Sequence, residues 1–372
     1  MRALLSLTLA VLTVAQGDAS AQARTVQTQA GAVAVESLAN GLDHPWGMAF
    51  LPDKRLLLTE RAGALRILGT DNRLSPRIGG TPEVLAKGQG GMLDVALDPG
   101  FASNGLVYLS FSEPGEGGAS TALGRGRLAG DKIEDFKVIF RQMPKVDGPN
   151  HFGGRIVFTS DGKHVFLTLG ERFKFDPAQD LSKHLGKIVR LNPDGSVPTD
   201  NPFAGKPEVR PEIWTYGHRN VESAAIDRGT GRFWIAEMGP MGGDELNLIE
   251  PGRNYGWPLV SWGKHYDGKD IPDPPTRPDL VDAVRQWTPT ISPSGMIIYD
   301  GAMFPKWRAS MMIGGLTAGG IVRLSLDGSK VTGEERIELG ARIRDVEQAA
   351  DGSIYVLTDE ADGDVLRLKP AG

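Results

Sequence analysis

The 372-residue chain carries 41 Lys and Arg against 46 Asp and Glu, a formal net charge of −5, and no cysteine. A slightly acidic chain with its charges in no long runs excludes nucleic acid as an expected partner, because a phosphate-binding surface is normally basic. The missing cysteines exclude disulfides, thiol catalysis and thiolate metal sites, and a chain this long can bury a core that needs no covalent staple.

Met1 and Arg2 open the chain, an apolar run covers residues 3–15, and small residues follow through Ala19, Ser20, Ala21 and Ala23. This is the pattern of a secretory signal peptide, so residues 1–23 are expected to be removed and the protein to be periplasmic or secreted. The run is shorter than the roughly 20 residues of a spanning helix. No later segment is apolar enough to span a bilayer, so residues 24–372 are expected to form one soluble catalytic domain.

Helical periodicity is almost absent beyond a weak stretch at 178–185. The 49 glycines fall in turns between short apolar runs. Asp-Gly steps such as Asp161-Gly162, Asp194-Gly195 and Asp351-Gly352 favour tight turns, since both residues tolerate positive φ. One unit recurs: an apolar strand, a turn, a second apolar strand, a small-residue break and a third strand. Copies begin near Trp46, Met92, Gly154, Val221, Gly295 and Val346. Repeats at this spacing predict an all-β, six-bladed β-propeller of four-stranded antiparallel sheets, with the longer intervals holding inserted loops. The segment 35–42 is expected to close the ring against the last blade. A stacked β-sandwich, the rival architecture, does not suit six similar units.

Polar residues stand where such a repeat does not need them. Gln89 lies among glycines before the second copy, His151 before the third, Arg219 and Asn220 before the fourth, and Arg342 and Arg344 at the sixth. In a propeller these lead-in loops converge on one mouth of the central channel. Three arginines there imply a polyanionic ligand, because guanidinium groups pair bidentately with carboxylates. His151 is the best general base, an imidazole flanked by residues that let a substrate approach. His218 suits a structural role equally well, and His44, His164, His184 and His265 look like turn or surface residues. The loop from Glu237 to Glu245 joins irregular Gly-Pro backbone to acids, a donor set that calcium prefers.

Six segments carry a family resemblance: GQGGMLDVALDPGF (88–101), HFGGRIVF (151–158), AQDLSKHLGKIVRLNPDGS (178–196), YGHRN (216–220), MGPMGGDELNLIEPGRNYGWP (238–258) and RIRDV (342–346). From about Gly41 to Leu368 the chain resembles the pyrroloquinoline quinone (PQQ)-dependent aldose sugar dehydrogenases, relatives of soluble glucose dehydrogenase. The resemblance implies that His151 takes the proton from the anomeric hydroxyl. It implies that Gln89, Arg219, Asn220, Arg342 and Arg344 hold PQQ, with Arg219 near the quinone oxygen that gains charge as hydride reaches C5, and with Tyr266 as an aromatic wall. Gly239 and Pro240 would offer carbonyls to calcium, Glu245 and Tyr255 match a second calcium site, and Asp244 stands behind the metal loop. The implied partners are an aldose and an external electron acceptor, and the implied assembly is a monomer or homodimer. Thr317 stands where the glucose-specific relatives carry a lysine, and Met238 replaces a polar residue before Gly-Pro. A chain shorter than those relatives implies a more open sugar site. Two other readings remain at this point: a calcium-dependent lactonase, and a non-catalytic binding propeller.

Overall fold

The computed structural model describes residues 24–372; the signal-peptide reading lies outside the described residues. The innermost strands are Pro45–Phe50, Met92–Leu97, Gly153–Phe158, Val221–Ile226, Pro293–Ile298 and Ile343–Gln348. Each falls within a few residues of a repeat start, and each opens an antiparallel sheet running outward, so the six-bladed propeller is borne out. Four blades have four strands. The first has three, and an irregular run takes the fourth place, with Ser75 N–H donating to Ile67 O at 2.7 Å and Ile78 N–H to Leu65 O at 2.8 Å. The last has five, because Gly31–Leu42 pairs with Gly363–Pro370, Val35 opposite Leu368, and Arg24–Thr28 adds outside it. The segment expected to close the ring therefore does so. The weak helical stretch is instead a 3-10 turn, Asp176–Ala178, followed by turns; Ala178 is buried against Trp257 and Ile271, and that packing explains its apolar character.

Strands such as LLLTE at Leu56–Glu60 are buried along their whole length because both sheet faces are covered by neighbouring blades. Leu57, Leu65 and Ile67 of the first blade pack with Val95, Val107, Leu109 and Phe111 of the second. Trp234 and Leu246 of the fourth pack with Met296, Ile313 and Val322 of the fifth. The core is thus a ring of wedges, and it leaves the axis free for polar groups.

All six innermost strands carry a register shift near their start. Such a bulge re-aims the residues beside it. Hydroxyls from the second strands satisfy the freed N–H groups: Gly47 donates to Thr59 Oγ1 at 2.9 Å, Asp94 to Ser110 Oγ at 3.0 Å, and Arg155 to Thr168 Oγ1 at 2.9 Å. Arg155 then reaches across the axis. Its Nη1 meets Asp94 at 3.2 Å and Asp345 at 2.9 Å, its Nε donates to Glu222 O at 2.8 Å and its Nη2 to Arg344 O at 2.9 Å. Its guanidinium lies 4.2 Å from the centre of the Trp46 ring. One side chain of the third blade thereby ties down the first, second, fourth and sixth. Burial nevertheless pushes the Asp345 carboxyl up to about 7 and Asp94 upward too, since two acids share one guanidinium.

Candidate active site

A hairpin sets the end of its second strand beside the start of its first. In four blades an acid stands at that end, and each anchors its own lead-in loop. Glu60 accepts Asp43 N–H at 2.8 Å, and Glu171 meets His151 Nδ1 at 2.5 Å. Glu237 takes His218 Nδ1 at 2.9 Å and Arg219 N–H at 2.7 Å. Asp359 accepts from Arg342 at 3.1 Å and Arg344 at 3.0 Å.

His151 is 4% exposed and sits at φ +54°, a left-handed conformation that few non-glycine residues adopt. Its N–H donates to Gln89 Oε1 at 2.6 Å, so Gln89 holds the His151 loop. Gly170 must be glycine here: a Cβ would lie 2.1 Å from His151 O. Donation from Nδ1–H to the fully buried Glu171 carboxylate leaves Nε2 with its lone pair, the arrangement of a proton acceptor. Burial holds the imidazole below its ordinary pKa, the Glu171 hydrogen bond opposes that, and nearby Arg219 adds to the lowering. The ring is therefore neutral and able to take a proton at neutral pH. The second Glu171 oxygen accepts the N–H groups of Lys174 and Phe175. Arg172, buried against the Phe152 ring at 3.5 Å, donates to the carbonyls of Gly148, at 2.7 Å, and Asn150. These bonds clamp the His151 loop from both sides.

Glu171→Gln keeps the shape and removes the charge. We expect kcat to fall about ten- to a hundredfold, the usual effect of losing an orienting partner. The carboxylate raises the pKa of His151, so its loss should also move the acid limb of the kcat/KM profile to lower pH. An unmoved acid limb would show that Glu171 does not act through the imidazole.

Glu171 N–H donates to Arg219 O at 2.9 Å, and Asn220 Oδ1 accepts Gly153 N–H at 3.0 Å, which locks the third and fourth lead-in loops together. Arg219 Nη1 donates to the carbonyls of Met238 at 2.9 Å and Gly239 at 2.8 Å, and Nη2 to Tyr266 Oη at 3.0 Å; its buried Nε has no partner. A cavity of about 310 Å³ opens beside it, lined by Phe173, Phe175, Pro240, Trp257, His265 and Tyr266 among others. Phe173 links this cavity to the base, its ring edge-on to His151 at 5.1 Å. An arginine lining an aromatic cavity of this size fits a flat, anionic cofactor.

The other two arginines expected at this mouth are ion-paired within the protein. Arg344 is buried between Glu222 and Asp359, and Arg342, half-exposed, shares the same Asp359. Asn220 Nδ2 donates to Glu222 Oε1 at 3.0 Å, so these residues join the Arg219 loop through Glu222. Their charge is largely balanced, whereas Arg219 lines the cavity together with the Lys269–Asp267 pair.

At the metal loop, two carbonyls converge on a positive centre, the Arg219 guanidinium. Glu237 and Glu245 stand opposite each other on paired strands, and burial together with the charge of Glu237 pushes the Glu245 carboxyl upward. A space of about 10 Å³, with room for one small ion, is lined by Glu237, Met238, Gly239, Glu245 and Tyr255 among others. Among the described residues no three His, Cys, Asp or Glu side chains gather closely enough to hold a metal unaided, so calcium here would depend on the backbone carbonyls. The Tyr255 hydroxyl is engaged with Leu248 O at 2.8 Å and Glu250 N–H at 2.9 Å, which leaves the backbone of Tyr255 as its means of meeting an ion. Asp244 accepts N–H groups of Gly239, Ile291 and Ser292 and ties the loop to the fifth blade. His218, between Glu237 and Thr215, is structural, and Thr317 bonds Thr290 O and Ser292 Oγ, each at 3.0 Å.

Sequence reasoning missed Glu171, Glu222, Asp359 and Phe173. The first and third had a signal: acids recurring at the ends of second strands.

One mouth of the propeller thus joins a carboxylate-oriented imidazole, an arginine and an aromatic cavity. Residues 42–367 match the Glucose / Sorbosone dehydrogenase family. The chain belongs to that family. It is 45% identical over 348 residues to aldose sugar dehydrogenase YliI of Escherichia coli K12, covering 91% of this chain and 93% of that protein. The solved apo-form of the soluble aldose sugar dehydrogenase from Escherichia coli superposes with a TM-score of 0.87 at 45% identity, over 91% of this chain and 100% of that one. The PQQ-bound aldose sugar dehydrogenase of Streptomyces coelicolor gives 0.74 at 29% identity, over 91% and 98%.

Proposed function

We propose that this chain is a PQQ- and calcium-dependent aldose dehydrogenase that oxidises the hemiacetal carbon to an aldonolactone, acting outside the cytoplasm. The observation that carries the reading is the Glu171–His151 pair linked through Phe173 to the same aromatic cavity that Arg219 faces. When bound, PQQ supplies the acceptor for the two electrons and hydrogen leaving C1. His151 Nε2 takes the anomeric hydroxyl proton, which makes C1 a better hydride donor as the C=O bond forms. Glu171 holds the imidazole in the accepting tautomer and stabilises the imidazolium. Arg219 presents its charge to an anionic group in the cavity, and Tyr266 and Trp257 exclude water around it. Arg342, Arg344, Gln89 and Asn220 fix the loops that carry these groups. Gly239 and Pro240 would offer carbonyls to one calcium beside the cofactor, and Glu245 and the Tyr255 backbone would hold a second. An external acceptor then regenerates the oxidised cofactor.

The lactonase reading needs channel carboxylates free for a metal, whereas Asp94, Asp345 and Glu222 are engaged with Arg155 or Arg344. Titrating the purified chain with PQQ in visible light should show saturable binding that requires calcium, together with dye-coupled aldose oxidation that chelation abolishes. Absence of binding at any calcium concentration would remove the cofactor assignment.

A further inference from the structure

We propose that Phe173 is the surface on which the C–H face of an aldopyranose stacks, so that the site favours sugars whose ring hydroxyls are all equatorial. The inference rests on the oxidation reading above and names the residue that would select the substrate.

The loop is built to display this ring. Glu171 and Arg172 are wholly buried, yet Phe173, the next residue, is 38% exposed. Arg172, Phe173 and Phe175 all take positive φ, at 62°, 59° and 64°, a region that side-chain-bearing residues avoid. Strained backbone persists where surrounding bonds over-determine it. Here the bonds are those of Glu171 Oε2 to Lys174 and Phe175 and of Arg172 to Gly148 and Asn150. The outcome is an apolar ring held at the cavity rather than folded into the core.

Its position decides what it can touch. The ring centre lies 5.1 Å from the imidazole at 75°, 5.3 Å from Phe175, and 6.1 Å from Tyr266 at 36°. A sugar whose anomeric hydroxyl reaches His151 Nε2 must bring its ring alongside Phe173. An all-equatorial pyranose presents axial C–H bonds on its faces, and these weakly positive hydrogens suit the negative face of an aromatic ring. An epimer with an axial hydroxyl on that face places a solvated oxygen there and loses the contact.

The test compares Phe173→Ala, Phe173→Leu and Phe173→Tyr in the PQQ- and calcium-loaded enzyme, using glucose and its C2 and C4 epimers. For Phe173→Ala we expect the glucose KM to rise about tenfold, kcat to stay within about threefold, and the preference for glucose to collapse. Phe173→Tyr should keep the wild-type preference, and Phe173→Leu should lose it with Ala. Melting temperature should not move. An unchanged KM, an equal rise for every epimer, or full recovery by Leu would each overturn the proposal. Saturation-transfer NMR of glucose on the unloaded chain and on Phe173→Ala decides the stacking separately. If the wild type binds glucose through Phe173 but does not turn over, the oxidation reading fails and the stacking stands.

Discussion

Replacing His151 by Ala is expected to lower kcat roughly 10²- to 10⁴-fold, the range that a positioned general base contributes. The protein should remain folded and still bind PQQ. The imidazole is the one group near the cavity with both an accepting nitrogen and a carboxylate to orient it, so its loss removes the proton acceptor and not the binding surface. Truncation also leaves Glu171 buried with one oxygen unpaired, which costs about 1–3 kcal/mol and would lower the melting temperature. His151→Asn separates the two effects. Its amide can still donate to Glu171 but cannot take a proton, so it should melt near wild type and stay as inactive as the Ala variant. Near-normal turnover in His151→Asn would remove the base assignment.

The second large effect is expected at Arg219. Arg219→Met should reduce kcat/KM by about 10²- to 10³-fold, as when one preorganised donor to developing charge is lost. It should also raise the PQQ titration midpoint, since the cavity loses a guanidinium from its lining. Arg219→Lys should recover little. One guanidinium serves Met238 O, Gly239 O and Tyr266 Oη in a planar fork, and an ammonium cannot span the three. Full activity and an unmoved midpoint in Arg219→Lys would show that charge alone, without the fork, is what the site uses.

The propeller was legible because its signals are local. Short apolar runs, Asp-Gly turns and a recurring unit lie within short windows, and the strand starts read from them fall within a few residues of the folded strands. His151 and Arg219 were legible for a related reason: each interrupts a repeat that does not need it. The pairing of Arg344 was not, because its balancing acid Glu222 is 122 residues away and burial hides both from solvent. Glu171 was passed over because a single acid after Leu169-Gly170 reads as a turn until the hairpin places it under the imidazole. Phe173 reads as one more apolar residue, and only the strained, anchored loop makes it an exposed ring.

By itself the sequence determined six blades and which loops carry unusual polar residues, since these depend on contacts between near neighbours in the chain. Tertiary structure alone decided which charges are already balanced and which of them line the cavity. The reason is that pairing depends on distances between loops from different blades, and an arginine is written the same way whether a carboxylate meets it or a ligand does.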